Sequence, residues 1–251
     1  MVTAPFGRRV AAVLSRRLVG PYVVVGVAEE APVAPGQFYM LSAVEGWGGG
    51  ADERPFLPRA ISALYARDGE VGFLIEDVGP GTHRLCELEP GEEVNLLGPL
   101  GNGFTPPDRG VEAILVGGGV GIPPLAMFQE RFGGTALVGF RSAGHAQAAS
   151  LFTAPAIASD DGSIGHHGFV TDLLASVVQE RGNVDVYACG PPVMLESVRL
   201  ILARENMSGQ LALEAPMACG YGACFGCVVE TVDGYKRVCV DGPVFAAAAL
   251  A

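Results

Sequence analysis

Four of the six cysteines in this 251-residue chain, Cys219, Cys224, Cys227 and Cys239, stand within its last 33 residues, while Cys86 and Cys189 are isolated. So short a stretch can hardly fold on an apolar core of its own, so a cross-link must supply the missing stability. Disulfides could do this, or a metal centre. Thiols stay reduced inside cells, so in a chain without an export signal such clustering argues for metal. Arg8 and Arg9 precede an apolar run of five residues at 10–14, which Arg16 and Arg17 close, and this is too short for the core of a signal peptide. The uncharged stretch 113–129 contains three consecutive glycines and two prolines, which does not suit a membrane helix. The expectation is a cytoplasmic protein.

The cysteine spacing is Cys219-x4-Cys224-x2-Cys227-x11-Cys239. Its first part is the plant-type ferredoxin arrangement, in which a more distant fourth cysteine completes the ligands of a [2Fe–2S] cluster. The residues between fit that chemistry. Bridging sulfides are negative and need backbone N–H donors close by, and small residues let the backbone approach. Gly220, Gly222, Ala223 and Gly226 provide such a loop. A structural zinc site with four thiolates is the alternative. Zinc modules more often use two C-x2-C pairs, and here there is one.

The rest of the chain changes texture once. Short β-like runs at 10–14, 22–27, 38–41, 60–65, 71–76 and 93–97 alternate with turn residues, which predicts an antiparallel barrel over residues 1–104. From 105 to 208, apolar strands at 113–116, 136–140 and 184–188 alternate with helical stretches ending at Phe132, over 170–181 and over 191–207. Met194, Val198, Ile201 and Leu202 fall on one face of the last helix. This alternation predicts a parallel sheet of Rossmann-like type. Residues 209–251 form a third, cysteine-built subdomain. At 49% hydrophobic and 17% charged, the chain can bury a core, which argues against disorder. A net charge of −11 without a basic patch disfavours nucleic acid and anionic lipid as partners.

Several loops have the composition of ligand sites. Arg59, Ala60, Ile61 and Ser62 occupy a barrel strand, with Arg59 and Ile61 on one face and Ala60 and Ser62 on the other. Arginine suits a phosphate through its two-pronged donor fork, although an exposed strand arginine would look the same. Gly79, Gly81 and Thr82 open a short helix over residues 83–88, a setting for an anion or for an ordinary turn. Gly118, Gly119 and Gly121 lie between a strand and a helix, where glycines let a dinucleotide pyrophosphate approach the helix end, though not in strict GxGxxG order. Cys189 and Gly190 end a later strand, at the sheet edge where ligands bind in open α/β folds. His83, His145, His166 and His167 show no ligand spacing.

Taken in this order, the motifs resemble those of the ferredoxin–NADP reductase superfamily, and more closely those of the electron-transfer subunits of class 1B dihydroorotate dehydrogenase. The resemblance spans nearly the whole chain. Its most specific parts are residues 217–227 (MACGYGACFGC) and 237–245 (RVCVDGPVF), joined by 118–125 (GGVGIPPL) and 189–194 (CGPPVM). It implies FAD bound by Arg59, Ile61 and Ser62, with Ala60 between them, and by Gly79, Gly81 and Thr82 at the pyrophosphate. It implies NAD(H) at Gly118, Gly119 and Gly121, with Cys189 and Gly190 facing the nicotinamide. It implies [2Fe–2S] ligation by Cys219, Cys224, Cys227 and Cys239. The implied partner is an FMN-containing catalytic subunit that oxidises dihydroorotate, in a heterotetramer of two copies of each chain. Ile61 replaces the tyrosine common in the wider superfamily, as is usual in the closer family. Ala60 stands where that family typically has proline. No role is assigned to residues 44–52, with Trp47, or to a catalytic acid–base pair. The competing readings are the reductase subunit of an NAD-dependent ferredoxin:NADP oxidoreductase or a sulfide dehydrogenase, and a zinc-stabilised binding module without redox function.

Overall fold

The structure, a computed structural model, describes residues 7–48, 55–181 and 184–250. Its first part is a closed antiparallel barrel of β1 (Arg9–Val19), β2 (Tyr22–Ala28), β3 (Phe38–Ala43), β4 (Arg59–Arg67), β5 (Glu70–Glu76) and β6 (Glu93–Leu100), in the spatial order β1-β2-β5-β4-β3-β6. A short helix, α1 (Pro80–Cys86), follows β5. It begins three residues before the expected 83–88 because Pro80 suits its first turn and the Thr82 hydroxyl accepts the Val78 and Gly79 N–H groups at 3.0 and 3.1 Å. All six expected barrel strands form.

The wall made by β2 and β5 serves two cores at once. Val23, Val25, Val27, Phe73 and Ile75 point into the barrel. Tyr22, Val24 and Leu74, on the opposite face, pack against the α/β part. This is why β2 is buried along nearly its whole length instead of alternating with solvent.

The second part is a seven-stranded sheet. In chain order its elements are β7 (Glu112–Gly118), α2 (Pro123–Phe132), β8 (Thr135–Phe140), β9 (Ala156–Ser159), β10 (His166–His167), α3 (Val170–Glu180), β11 (Val184–Cys189), α4 (Pro192–Glu205) and β12 (Gly209–Ala212). A hairpin of β13 (Val228–Thr231) and β14 (Gly234–Arg237), a one-turn helix α5 (Val238–Asp241) and β15 (Val244–Ala246) complete the chain. The sheet runs β10-β9-β8-β7-β11-β12-β15, parallel except for β15. Leu125 and Phe128 of α2 pack on one face, and Leu174 of α3 with Val198 and Leu202 of α4 on the other. Helices on both faces of a parallel sheet make the doubly wound arrangement. Asn206, in the left-handed conformation at φ 51°, ends α4. Strands β9, β10, β12 and β15 are additional to the expected three. Among the described residues, no helix is long and apolar enough to cross a membrane.

Candidate functional site

The four clustered cysteines meet because a hairpin folds the chain back. Val228 pairs with Arg237, and the Val238 N–H donates to the Cys227 carbonyl at 2.9 Å. The eleven residues between Cys227 and Cys239 are thereby closed, and the two Sγ atoms stand 3.2 Å apart, well beyond a bond length of ~2.05 Å. Cys219 and Cys224 form a second pair, hydrogen-bonded to each other. Two thiol pairs suit a dinuclear iron–sulfur cluster, two thiolates to each iron.

The loop is shaped for a negative centre. Burial pushes the Cys219 thiol up, but N–H groups of Cys224, Tyr221 and Ala223 aimed at its sulfur outweigh this and hold it down to about 7. Burial, followed by the neighbouring Cys227, raises Cys239 to about 12. Gly220 and Gly222 have φ of 78° and 88°, and a Cβ on either would lie 2.5 Å from Met40 Cγ or 2.6 Å from Val240 Cγ2. Arg237, to which the sequence reading gave no role, ties the loop down. Its Nη1 donates to the Gly222 carbonyl at 3.1 Å, and its guanidinium lies 5.0 Å from the Phe225 ring centre.

The two flavin-like motifs also meet. A Cβ built on Gly81 would lie 2.4 Å from Arg59 Nε and Cζ, so the guanidinium rests on the bare glycine. Arg59, Ala60, Ile61 and Ser62 pair with β3 on one side, whereas β5 joins β4 only from Ala63 onward. The other edge of the motif is therefore not part of the β5 ladder. The Arg59 guanidinium also sits 5.5 Å from the Trp47 ring, and Nη1 donates to the Leu57 carbonyl at 2.5 Å. Trp47 thus gains a position, while residues 49–52 of the same stretch lie outside the described residues. The Thr82 hydroxyl donates to the Gly79 carbonyl at 3.0 Å and holds that loop. An arginine fork against a backbone without a Cβ fits a dinucleotide phosphate.

Two cavities lie near the sites that the sequence singled out. One, of 730 Å³, is lined by Met40, Trp47, Pro58, Leu97, Cys219 and Tyr221, so the residue before Arg59 and the first cluster cysteine share it. The other, of 510 Å³, lies at the carboxyl ends of the parallel strands and is lined by Gly118, Gly119, Gly121, Gly190, Glu76 and Glu214, among others. There a Cβ on Gly121 would come within 2.6 Å of Gly190 Cα, so the two nicotinamide-like loops touch backbone to backbone. The bare backbone of these glycines at the strand ends fits the close approach of a pyrophosphate. Cys189 is 3% exposed, and its side chain packs in the apolar interior. Glu214 retains surface towards the cavity yet is surrounded by protein, which raises its carboxyl above the usual range.

An antiparallel barrel joined to a doubly wound sheet, with a cysteine module appended, makes up a ferredoxin-reductase-like fold. Solved structures share this fold. An NADH-dependent reduced ferredoxin-NADP oxidoreductase superposes with a TM-score of 0.79 at 24% identity, over 96% of this chain and 89% of that one. The FAD/NAD-binding domain of a Vibrio cholerae nitric oxide dioxygenase superposes with a TM-score of 0.62 at 22% identity, over 78% and 93%. Residues 214–251 match the iron–sulfur cluster binding domain of dihydroorotate dehydrogenase B. The chain is 34% identical over 226 residues to the dihydroorotate dehydrogenase B (NAD(+)) electron transfer subunit of Clostridium acetobutylicum, covering 88% of this chain and 87% of the relative. The corresponding subunit of Geobacillus thermodenitrificans is 37% identical over 232 residues, covering 85% of each. The chain belongs to the family of dihydroorotate dehydrogenase B electron transfer subunits.

Proposed function

We propose that this chain carries electrons between NAD(H) and a dihydroorotate dehydrogenase catalytic subunit, with FAD and a [2Fe–2S] cluster as its carriers. The partner contains FMN and oxidises dihydroorotate to orotate for pyrimidine biosynthesis, and two copies of each chain assemble. One topological observation carries the reading. In the barrel order, β4 stands between β5 and β3. Glu76, the last residue of β5, lines the cavity that gathers the nicotinamide-like loops, and Met40 of β3 lines the cavity that Cys219 enters. The strand with the flavin motif is therefore interposed between the two other sites.

The roles of the residues follow from their chemistry. Arg59 donates to the FAD phosphates, Ser62 to its ribityl chain, and Ile61 lies beside its ring, with Ala60 between them in the strand. Gly79, Gly81 and Thr82 keep the loop backbone close to the pyrophosphate. Gly118, Gly119 and Gly121 admit the pyrophosphate of NAD(H), and Gly190 borders the nicotinamide with Cys189 packed behind it in the interior. Cys219, Cys224, Cys227 and Cys239 ligate the cluster. When bound, FAD supplies the exchange between two-electron hydride chemistry and single-electron transfer. The protein contributes position, exclusion of water and charge.

The proposed division of the chain is residues 1–104 for FAD, 105–208 for the nicotinamide coenzyme and 209–251 for the cluster. Phe225 and Tyr235, 63% and 75% exposed on the cysteine module, support docking of the partner there. The proposed compartment is the cytoplasm, in keeping with six unbridged cysteines.

The test is the visible spectrum of anaerobically purified protein, with iron and sulfide analysis, before and after NADH. Flavin bands with a redder iron–sulfur shoulder, both bleached by NADH, are expected. A protein that stays colourless after reconstitution with iron, sulfide and FAD would overturn the reading.

A further inference from the structure

In a doubly wound sheet, the residue at the end of the second strand commonly reads the adenosine ribose. A carboxylate there accepts from the 2′-hydroxyl of NAD, and an arginine accommodates the 2′-phosphate of NADP. Here that strand is β8, and the residue after it is Arg141. By itself this points towards a phosphorylated coenzyme. The tertiary structure reverses the inference. Arg141 Nη2 donates at 2.8 Å to Glu76 Oε1, at the end of a barrel strand 65 residues earlier. Glu76 is well covered, its side chain 16% exposed against 68% for Arg141. The carboxylate is thus fixed by the barrel and holds the more exposed partner.

The surrounding charge acts in the same direction. Asp160 follows β9, its N–H donates to the Phe140 carbonyl at 3.0 Å, and β8 and β9 pair in register at Phe140 and Ser159, so Asp160 lies beside Arg141. Among the described residues lining this cavity, the charged side chains are Glu76, Arg141, Asp160 and Glu214. Three carboxylates and one guanidinium already engaged make a poor site for a group carrying close to two negative charges at neutral pH.

We propose that Glu76 is a specificity-determining residue: it occupies Arg141 as an internal anion in place of a 2′-phosphate, so that the site selects NAD(H) over NADP(H). This rests on reading the 510 Å³ cavity as the nicotinamide coenzyme site.

Calorimetric titration of the full chain, loaded with FAD and cluster, with ADP-ribose and with 2′-phospho-ADP-ribose tests it without relying on turnover. The unmodified protein is expected to favour ADP-ribose at least tenfold. Glu76→Gln removes the carboxylate charge, and the preference should shrink at least fivefold, while adding Arg141→Ala to that variant should restore it. Arg141→Ala alone covers the case in which E76Q fails to fold. It should leave the preference within twofold, because the guanidinium is not available to a phosphate. An unchanged preference in E76Q, or a tenfold specific loss of 2′-phospho-ADP-ribose binding in R141A, overturns the proposal. If ADP-ribose itself does not bind, the coenzyme-site reading falls too, which separates the two failures.

Discussion

Cys189 ends β11 in a position where a reactive thiol would be tempting to assign, yet its surroundings deny it that chemistry. Burial pushes its thiol far above the ordinary range, with a further push from Glu214. Burial likewise raises Cys86 to about 11. A raised thiol pKa means that the reactive thiolate appears only as pH rises through that higher value. At pH 8, iodoacetamide is therefore expected to leave Cys86 and Cys189 unmodified in the folded protein and to label both in denaturant, as read by peptide mass spectrometry. Rapid native labelling of Cys189 would contradict the structure. Gly222 is the other telling residue. At φ 88°, with Val240 Cγ2 2.6 Å from where a Cβ would stand, Gly222→Ala should cost about 1–2 kcal/mol from its backbone conformation alone. It should show as a lower temperature for loss of the visible cluster spectrum, with flavin content unchanged.

Among the elements, the β13–β14 hairpin does the most with the fewest residues, since it brings Cys239 to Cys227. Arg237, at its end, binds the hairpin to the cysteine loop through Gly222 and Phe225. Arg237→Leu removes a charged hydrogen bond worth about 1.5–3 kcal/mol and frees the loop. The variant should lose iron to a chelator several-fold faster than the unmodified protein. Equal rates would show that the loop is held by packing alone. The cysteine loop was legible in the sequence because its ligand spacing is local. The hairpin between the last two ligands was not, for four-residue strands with exposed Val228 and Tyr235 carry no periodic signal. Short β9, β12 and β15 were missed for the same reason. Their pairing is decided by neighbours far away in the chain.

For the whole molecule, the seam between barrel and sheet matters most. Phe104, at the barrel exit, packs edge-on against Phe128 of α2 and Tyr187 of β11, with ring centres 6.0 and 5.7 Å apart. Its N–H donates to the Pro35 carbonyl at 2.8 Å. Phe104→Ala should cost about 3–5 kcal/mol and lower the urea midpoint of both halves together. Separate transitions with only one shifted would show that the halves are not coupled through this cluster. The same seam carries the pairing of Glu76 with Arg141.

The sequence by itself determined the cysteine ligand pattern, the change from barrel to alternating α/β texture and the glycine loops, because each rests on neighbours close in the chain. It also pointed to Arg59 as a ligand for an anion. Only the tertiary structure decided that Trp47 covers Arg59, that Gly121 meets Gly190, and that Glu76 holds Arg141. Those contacts join segments from 12 to 69 residues apart, as the differences in their numbers show. Periodicity says nothing about such distances. They are set by how two cores share the β2–β5 wall, and that packing exists only once the chain has closed.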